Sequence, residues 1–226
     1  MTPGDELPTP PPPSPALRAI VSGVQPVRTR RPLRMFALLV GVSAVYLALW
    51  LTRFHHRRDL GYLPFTWWLF LGVAWIGGFV MPLAMAVVPR RGAVLPDGAR
   101  ASTATFAVAA VLLVLAFAFT PAAPPHTYIP QGAHDSMAMI RHCMTVGLAF
   151  AIGPLAIGLV FLRRLLIVGG GRLMAAVGAA SGALAGLLLH IICPMGGALH
   201  VGFGHGGVVV IAGLLGGAIG YFVGKR

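Results

Sequence analysis

Acidic side chains are nearly missing from this sequence. Asp and Glu together number five in 226 residues, and charged residues of all kinds make up 10%, against roughly 25% in ordinary globular chains. No acid falls inside a long apolar run, and neither Lys nor Arg sits in the middle of one. That argues against an ion pump or proton relay, which uses intramembrane ionisable groups. It also leaves no carboxylate pair and no Ser/His/Asp set for hydrolytic or general acid–base chemistry, so the chain is not read as an enzyme. Cysteine is as scarce: Cys143 and Cys193 do not make a disulfide scaffold. The basic n-region and apolar core of a secretory signal peptide are missing as well, so the first apolar segment is expected to act as its own insertion signal. Nothing alternates like the strand of a membrane β-barrel.

Apolar sequence is what the chain has in quantity. Hydrophobic residues make up 57% and the mean hydropathy is +0.84. Six apolar runs are expected near 34–52, 65–88, 101–120, 143–162, 173–192 and 207–224. Each is long enough to cross about 30 Å of hydrocarbon at 1.5 Å per residue. A lipid interior satisfies no backbone polar group, so the runs are expected to be helices. The fold class is therefore an all-α, polytopic membrane protein with six transmembrane helices, buried in membrane lipid across residues 35–224. Residues 1–15 are Pro-rich and cannot build a core, so a disordered or polyproline-like tail is expected there. Residues 16–34 hold five arginines and form a basic juxtamembrane segment.

The formal charge of +12 reads as topology rather than nucleic-acid binding, because Lys and Arg collect in cytoplasmic loops. With both termini inside, 13 of the 17 basic residues face the cytoplasm. The remaining four are Arg53, Arg57, Arg58 and Arg141, so the first outer loop stays unusually basic. Trp50, Tyr62, Trp67 and Trp68 flank that loop as expected interfacial anchors. Pro82 and Pro154 fall inside helices and should kink them. Gly178, Gly182 and Gly186 recur every four residues in the fifth run, and Gly213 and Gly217, with Gly216 and Gly220, repeat the device in the sixth. Such stripes let helix backbones approach closely. Gly169-Gly170-Gly171 is expected to be a cytoplasmic turn, since it lacks the Lys-Ser/Thr of a phosphate loop.

The reactive side chains gather at the ends of these runs. Cys143 opens the fourth, directly after His142, and Cys193 closes the fifth, one turn beyond His190. His200 and His205 precede the sixth, and His126 and His134 are expected on the same outer side. The fourth and fifth helices run antiparallel, so both thiols belong at one depth. Three readings remain open. The cysteines can form a disulfide, given Cα atoms about 5.5–6 Å apart. They can join His190, His142, His200 or His205 around zinc, or around copper(I) with Met144 or Met195 added. Or they can be small buried hydrophobes.

Val24-Gln25-Pro26-Val27-Arg28 ahead of the first run resembles the opening of the NrsF-like membrane anti-sigma factors. Cys143, Pro154 and Leu162-Arg163-Arg164 resemble that family's fourth helix. The glycine run 178–186, ending at Cys193-Pro194 and followed by residues 200–205, resembles its fifth helix and next loop. The likeness covers the juxtamembrane segment and residues 143–220. It implies an inner-membrane protein of bacteria that sequesters an extracytoplasmic-function sigma factor and releases it on meeting oxidant or heavy metal. Cys143 and Cys193 match the family's cysteine pair. The partner-binding segment is then expected in 16–34, around Val24, Pro26, Val27, Arg28, Arg30 and Arg31. A different class of reading, a small membrane metal-binding or transport protein, rests on the His/Cys/Met residues alone.

The charge count generates a direct test. Reporter fusions at the C-terminus should be active only in the cytoplasm, and fusions within residues 195–206 only outside it. A periplasm-active C-terminal fusion would overturn this topology.

Overall fold

The computed structural model describes residues 14–15, 32–58, 60–89, 98–118, 136–166 and 169–225. The chain divides into two units, Met1–Arg31 and Pro32–Arg226. The expected partner-binding residues Val24, Pro26, Val27, Arg28, Arg30 and Arg31 lie outside the described residues, as do His126 and His134.

Among the described residues the second unit holds six long helices: α1 (Pro32–Leu51), α2 (Phe65–Val87), α3 (Gly98–Ala118), α4 (Met137–Leu162), α5 (Gly170–Ile192) and α6 (Gly207–Gly224). Short 3-10 turns occupy Leu60–Tyr62 and Arg163–Leu165, and a wide π turn, His200–Gly206, runs directly into α6. Five of the helices are long and apolar enough to cross a membrane, α6 being counted with its π turn. The other, α3, is 21 residues long and also largely apolar. Their outward faces are apolar too: Val45 and Leu49 on α1, Val73 and Ile76 on α2, and Leu214 on α6 stand more than half exposed or nearly so. An apolar exterior on this scale suits lipid rather than water.

Several boundaries shift from the sequence expectation, each for a local reason. α1 starts at Pro32, since proline is pre-shaped for the first helical position and its missing N–H is no loss there. α4 starts at Met137, after Ser136, because nothing in 137–142 breaks a helix. α5 starts at Gly170. Of the three consecutive glycines only Gly169 turns, in the left-handed region at φ 74° that glycine adopts without a steric penalty. Gly170 is already helical, and a Cβ there would lie 2.7 Å from the Gly220 carbonyl oxygen of α6.

α5 is the central helix. It packs against all five others, and its buried residues run from Gly170 to His190 on every side, as expected of a helix apolar all round. Its partner α6 comes closest. A Cβ on Gly182 would sit 2.6 Å from the Val209 Cα and 2.7 Å from the Val208 carbonyl oxygen. Gly178 abuts the Ala212 carbonyl, and Gly216 abuts the Met174 carbonyl in return. Gly186 has a different neighbour: it faces the ring of Trp75 on α2. The α5 glycines thus receive a helix backbone at Gly178 and Gly182 and an indole at Gly186. On α2, Trp67, Leu71, Trp75, Phe79 and Leu83 form the buried stripe. Trp67 is therefore core, not an interfacial anchor, because the four-residue spacing puts it on the same face as Trp75.

On α4 the buried face is Ile140, Cys143, Gly147, Phe150, Ala151, Pro154, Gly158 and Leu162. Pro154 has no N–H for the carbonyl four residues back, that of Phe150. The Tyr46 hydroxyl of α1 donates to that carbonyl at 3.0 Å. An apolar surround makes an unmet carbonyl costly, so this one hydroxyl both repairs the proline gap and fastens α1 to α4.

Gly182→Ala must push α5 from α6, since the atoms in the way are backbone. A loss of about 1–3 kcal/mol is expected, the usual cost of overpacking. Gly72 has nothing within 4 Å of an added Cβ, so Gly72→Ala should be neutral or better. Thermal unfolding of both variants in detergent compares them, and equal melting temperatures would refute the backbone-contact account.

Candidate functional site

Proline shapes the first corner of the site. Residues before proline favour extended backbone, and Cys193, preceding Pro194, leaves α5 at φ −84°, ψ 121°. Its amide still donates to the Leu189 carbonyl at 2.7 Å, so the thiol is held at the helix end but turned away from the helical path. Cys143 approaches from the second turn of α4, on that helix's buried face. The two sulfurs lie 3.4 Å apart as free, buried thiols. A disulfide would require about 2.05 Å.

The π turn supplies the histidines. Positions five apart in an α-helix point about 140° away from each other. A π turn, closed by i to i+5 bonds, is wider and returns them to nearly the same side. His200 and His205 are five apart, and their rings meet edge to face at 5.3 Å. His200 Nε2 lies 3.4 Å from the Cys193 sulfur. Gly204, inside the turn, lets α4 close over it: a Cβ there would meet the Ile140 carbonyl oxygen, His200 Nε2 and the Cys143 Cβ at 3.5–3.7 Å. Four donor atoms, from Cys143, Cys193, His200 and His205, thus come within 4.8 Å of one another, and all four residues are buried.

The other expected site residues separate from this group. His142 is exposed while Cys143 is buried, because neighbours on a helix point about 100° apart. His190 is buried beside the group rather than in it. Its ring stacks on Trp67 at 4.3 Å and 19° and meets the edge of His205 at 5.9 Å. Met144 and Met195 are partly buried.

Sequence reasoning missed the roof of the site. Arg57, read as part of an awkwardly basic loop, exposes only 5% of its surface. Its amide donates to the Ile191 carbonyl at 3.1 Å, and its guanidinium lies 5.3 Å from the centre of the Trp67 ring. The loop between α1 and α2 is thereby fastened to the end of α5. The signal available was the excess of arginine itself: a cation that fits no topology count can be one that is not free.

The arrangement can do soft-ligand and thiol chemistry. It offers two sulfurs close enough to react with one another and two imidazoles beside them, all buried. Neither the curated proteins nor the solved structures hold a significant match to this chain. The family described as NrsF: Negative regulator of sigma F matches residues 20–224, which takes in every helix of the bundle and both cysteines. The chain belongs to that family of negative regulators of sigma F.

Proposed function

We propose that this protein is an anti-sigma factor of the bacterial inner membrane. It holds an extracytoplasmic-function sigma factor and releases it when Cys143 and Cys193 meet an oxidant or a heavy metal. The observation that carries the reading is the pair of free sulfurs 3.4 Å apart, in a member of a family of negative regulators of sigma F. Helices apolar enough to cross a membrane support an anchored rather than a diffusing regulator.

The signal travels as a helix displacement. A change at the thiols alters how the start of α4, the end of α5 and the π turn meet. α5 and α6 touch backbone to backbone, so their contact transmits a shift instead of absorbing it. The far ends of these helices meet at Gly170 and Gly220, and the turn before α5 reaches Gly224 through the Leu166 carbonyl. Coupling of about 1–3 kcal/mol between thiol state and partner affinity is the usual scale for such a device.

The basic segment 16–34 is the proposed docking element, of which residues 16–31 precede α1. Its arginines would meet an acidic or apolar face of the sigma factor, because like charges repel across an interface. The four clustered donors favour a second reading, a metal-handling membrane protein with no sigma partner. Co-purification separates the two: a tagged sigma factor captured from membranes supports the first, and its absence there the second.

Two outcomes are expected. Deleting residues 16–31 should leave an inserted protein that no longer captures the sigma factor, measured by the same pull-down. Undiminished capture would move the docking surface to the short loops. Replacing both Cys143 and Cys193 with serine should remove the response to oxidant or cadmium in a sigma-dependent reporter while basal repression stays within about twofold, a change of only ~0.4 kcal/mol. A wild-type response from this variant would make the thiols core filler.

A further inference from the structure

We infer that Cys143, Cys193, His200 and His205 bind one divalent thiophilic cation, zinc at rest, in a closed four-coordinate site. This deepens the sensing proposal above, and its regulatory meaning rests on that reading, but the binding is measurable by itself.

Donor type and geometry argue together. Two thiolates with two imidazoles are a common structural zinc set, with Zn–S near 2.3 Å and Zn–N about 2.0–2.1 Å. Around one tetrahedral ion these bond lengths put the sulfurs about 3.8 Å apart and a sulfur and nitrogen about 3.5 Å apart. The observed S···S and S···N separations are both 3.4 Å, and all four donors fall within 4.8 Å. Small side-chain rotations suffice to admit the ion.

Burial supplies a second, independent observation. His205 is fully buried, and no hydrogen bond of good geometry reaches either of its ring nitrogens among the described residues; the polar group it does approach is the Cys193 thiol, a fellow member of the donor group. Buried polar atoms are nearly always satisfied, and a metal bond satisfies one of these. The π turn has the same implication. A widened turn often marks a functional site, and this one sets two histidines five positions apart onto one ring of donors.

Donor type selects the ion. Two thiolates and two neutral imidazoles in a tetrahedral set suit zinc, and a divalent cation cancels the −2 that these four ligands carry. Cadmium has the charge and the softness to replace zinc. The same two sulfurs cannot hold the ion and each other, so metal and disulfide are alternative states of one site. His142 is exposed and takes no part.

The test uses full-length protein purified in detergent, reduced and free of chelator. Incubated with Zn(II) and desalted, wild type should retain about one zinc per chain by elemental analysis. Titrated with Co(II), it should show the ligand-field and thiolate charge-transfer bands of a tetrahedral site. Cys193→Ser and His205→Asn should each weaken cobalt binding by more than about a hundredfold, beyond the roughly 10–100-fold that loss of an outer-shell partner costs. His142→Ala should bind like wild type. No cobalt bands, octahedral bands, or unchanged affinity in both ligand variants would overturn the site, and the wild-type spectrum decides alone if a variant fails to fold. Zinc binding with sigma release indifferent to both cysteines would uphold the site and sink the sensing reading. Thiol-dependent release from a protein that takes no cobalt would do the reverse.

Discussion

The contact on which the rest of this structure depends is backbone against backbone between α5 and α6. Gly178 and Gly182 on one helix and Gly216 and Gly220 on the other leave no side chain between carbonyl and Cα. In lipid no hydrophobic force drives two helices together, so association relies on close van der Waals packing, and only small residues allow it. With α6 fixed this tightly, the π turn ahead of it has little freedom. It must deliver His200 and His205 beside the end of α5, where Cys193 leaves the helix. α4 then closes the group through two further small residues, Gly147 against Val208 and Leu189, and Gly204 beneath Cys143.

The site is thus built where three elements end, and polar bonds that lipid-exposed backbone could not supply fasten both the end of α5 and the middle of α4. The Arg57 amide caps the Ile191 carbonyl, and the Tyr46 hydroxyl fills the gap left by Pro154 at Phe150. Each joins a loop or helix of the N-terminal half to the α4–α5 pair. Trp67 connects the two roles, because it packs in the main core while its ring receives both His190 and the Arg57 guanidinium. Under the proposed function, a change of state at the sulfurs would act on these packed helix ends rather than on a free loop, as a switch requires.

The sequence alone determined the class of molecule. Six apolar runs and few charges follow from an apolar solvent around the helices, and those quantities are additive along the chain. It also determined that the two cysteines belong at one end, since alternation of antiparallel helices requires it. What only the tertiary structure decided was which side chains meet. His142 and Cys143 are neighbours in sequence yet face apart, because a helix turns 100° per residue. His200 and His205 meet only because the helix widens into a π turn, and nothing in local propensity marks that turn beyond its glycines. Arg57 and Trp67, from a loop and a helix more than a hundred residues from Cys193, His200 and His205, form the roof through contacts that no periodicity encodes. Composition and period report how each residue relates to the solvent around a helix; the donor group depends on how helices relate to one another, and only packing fixes that.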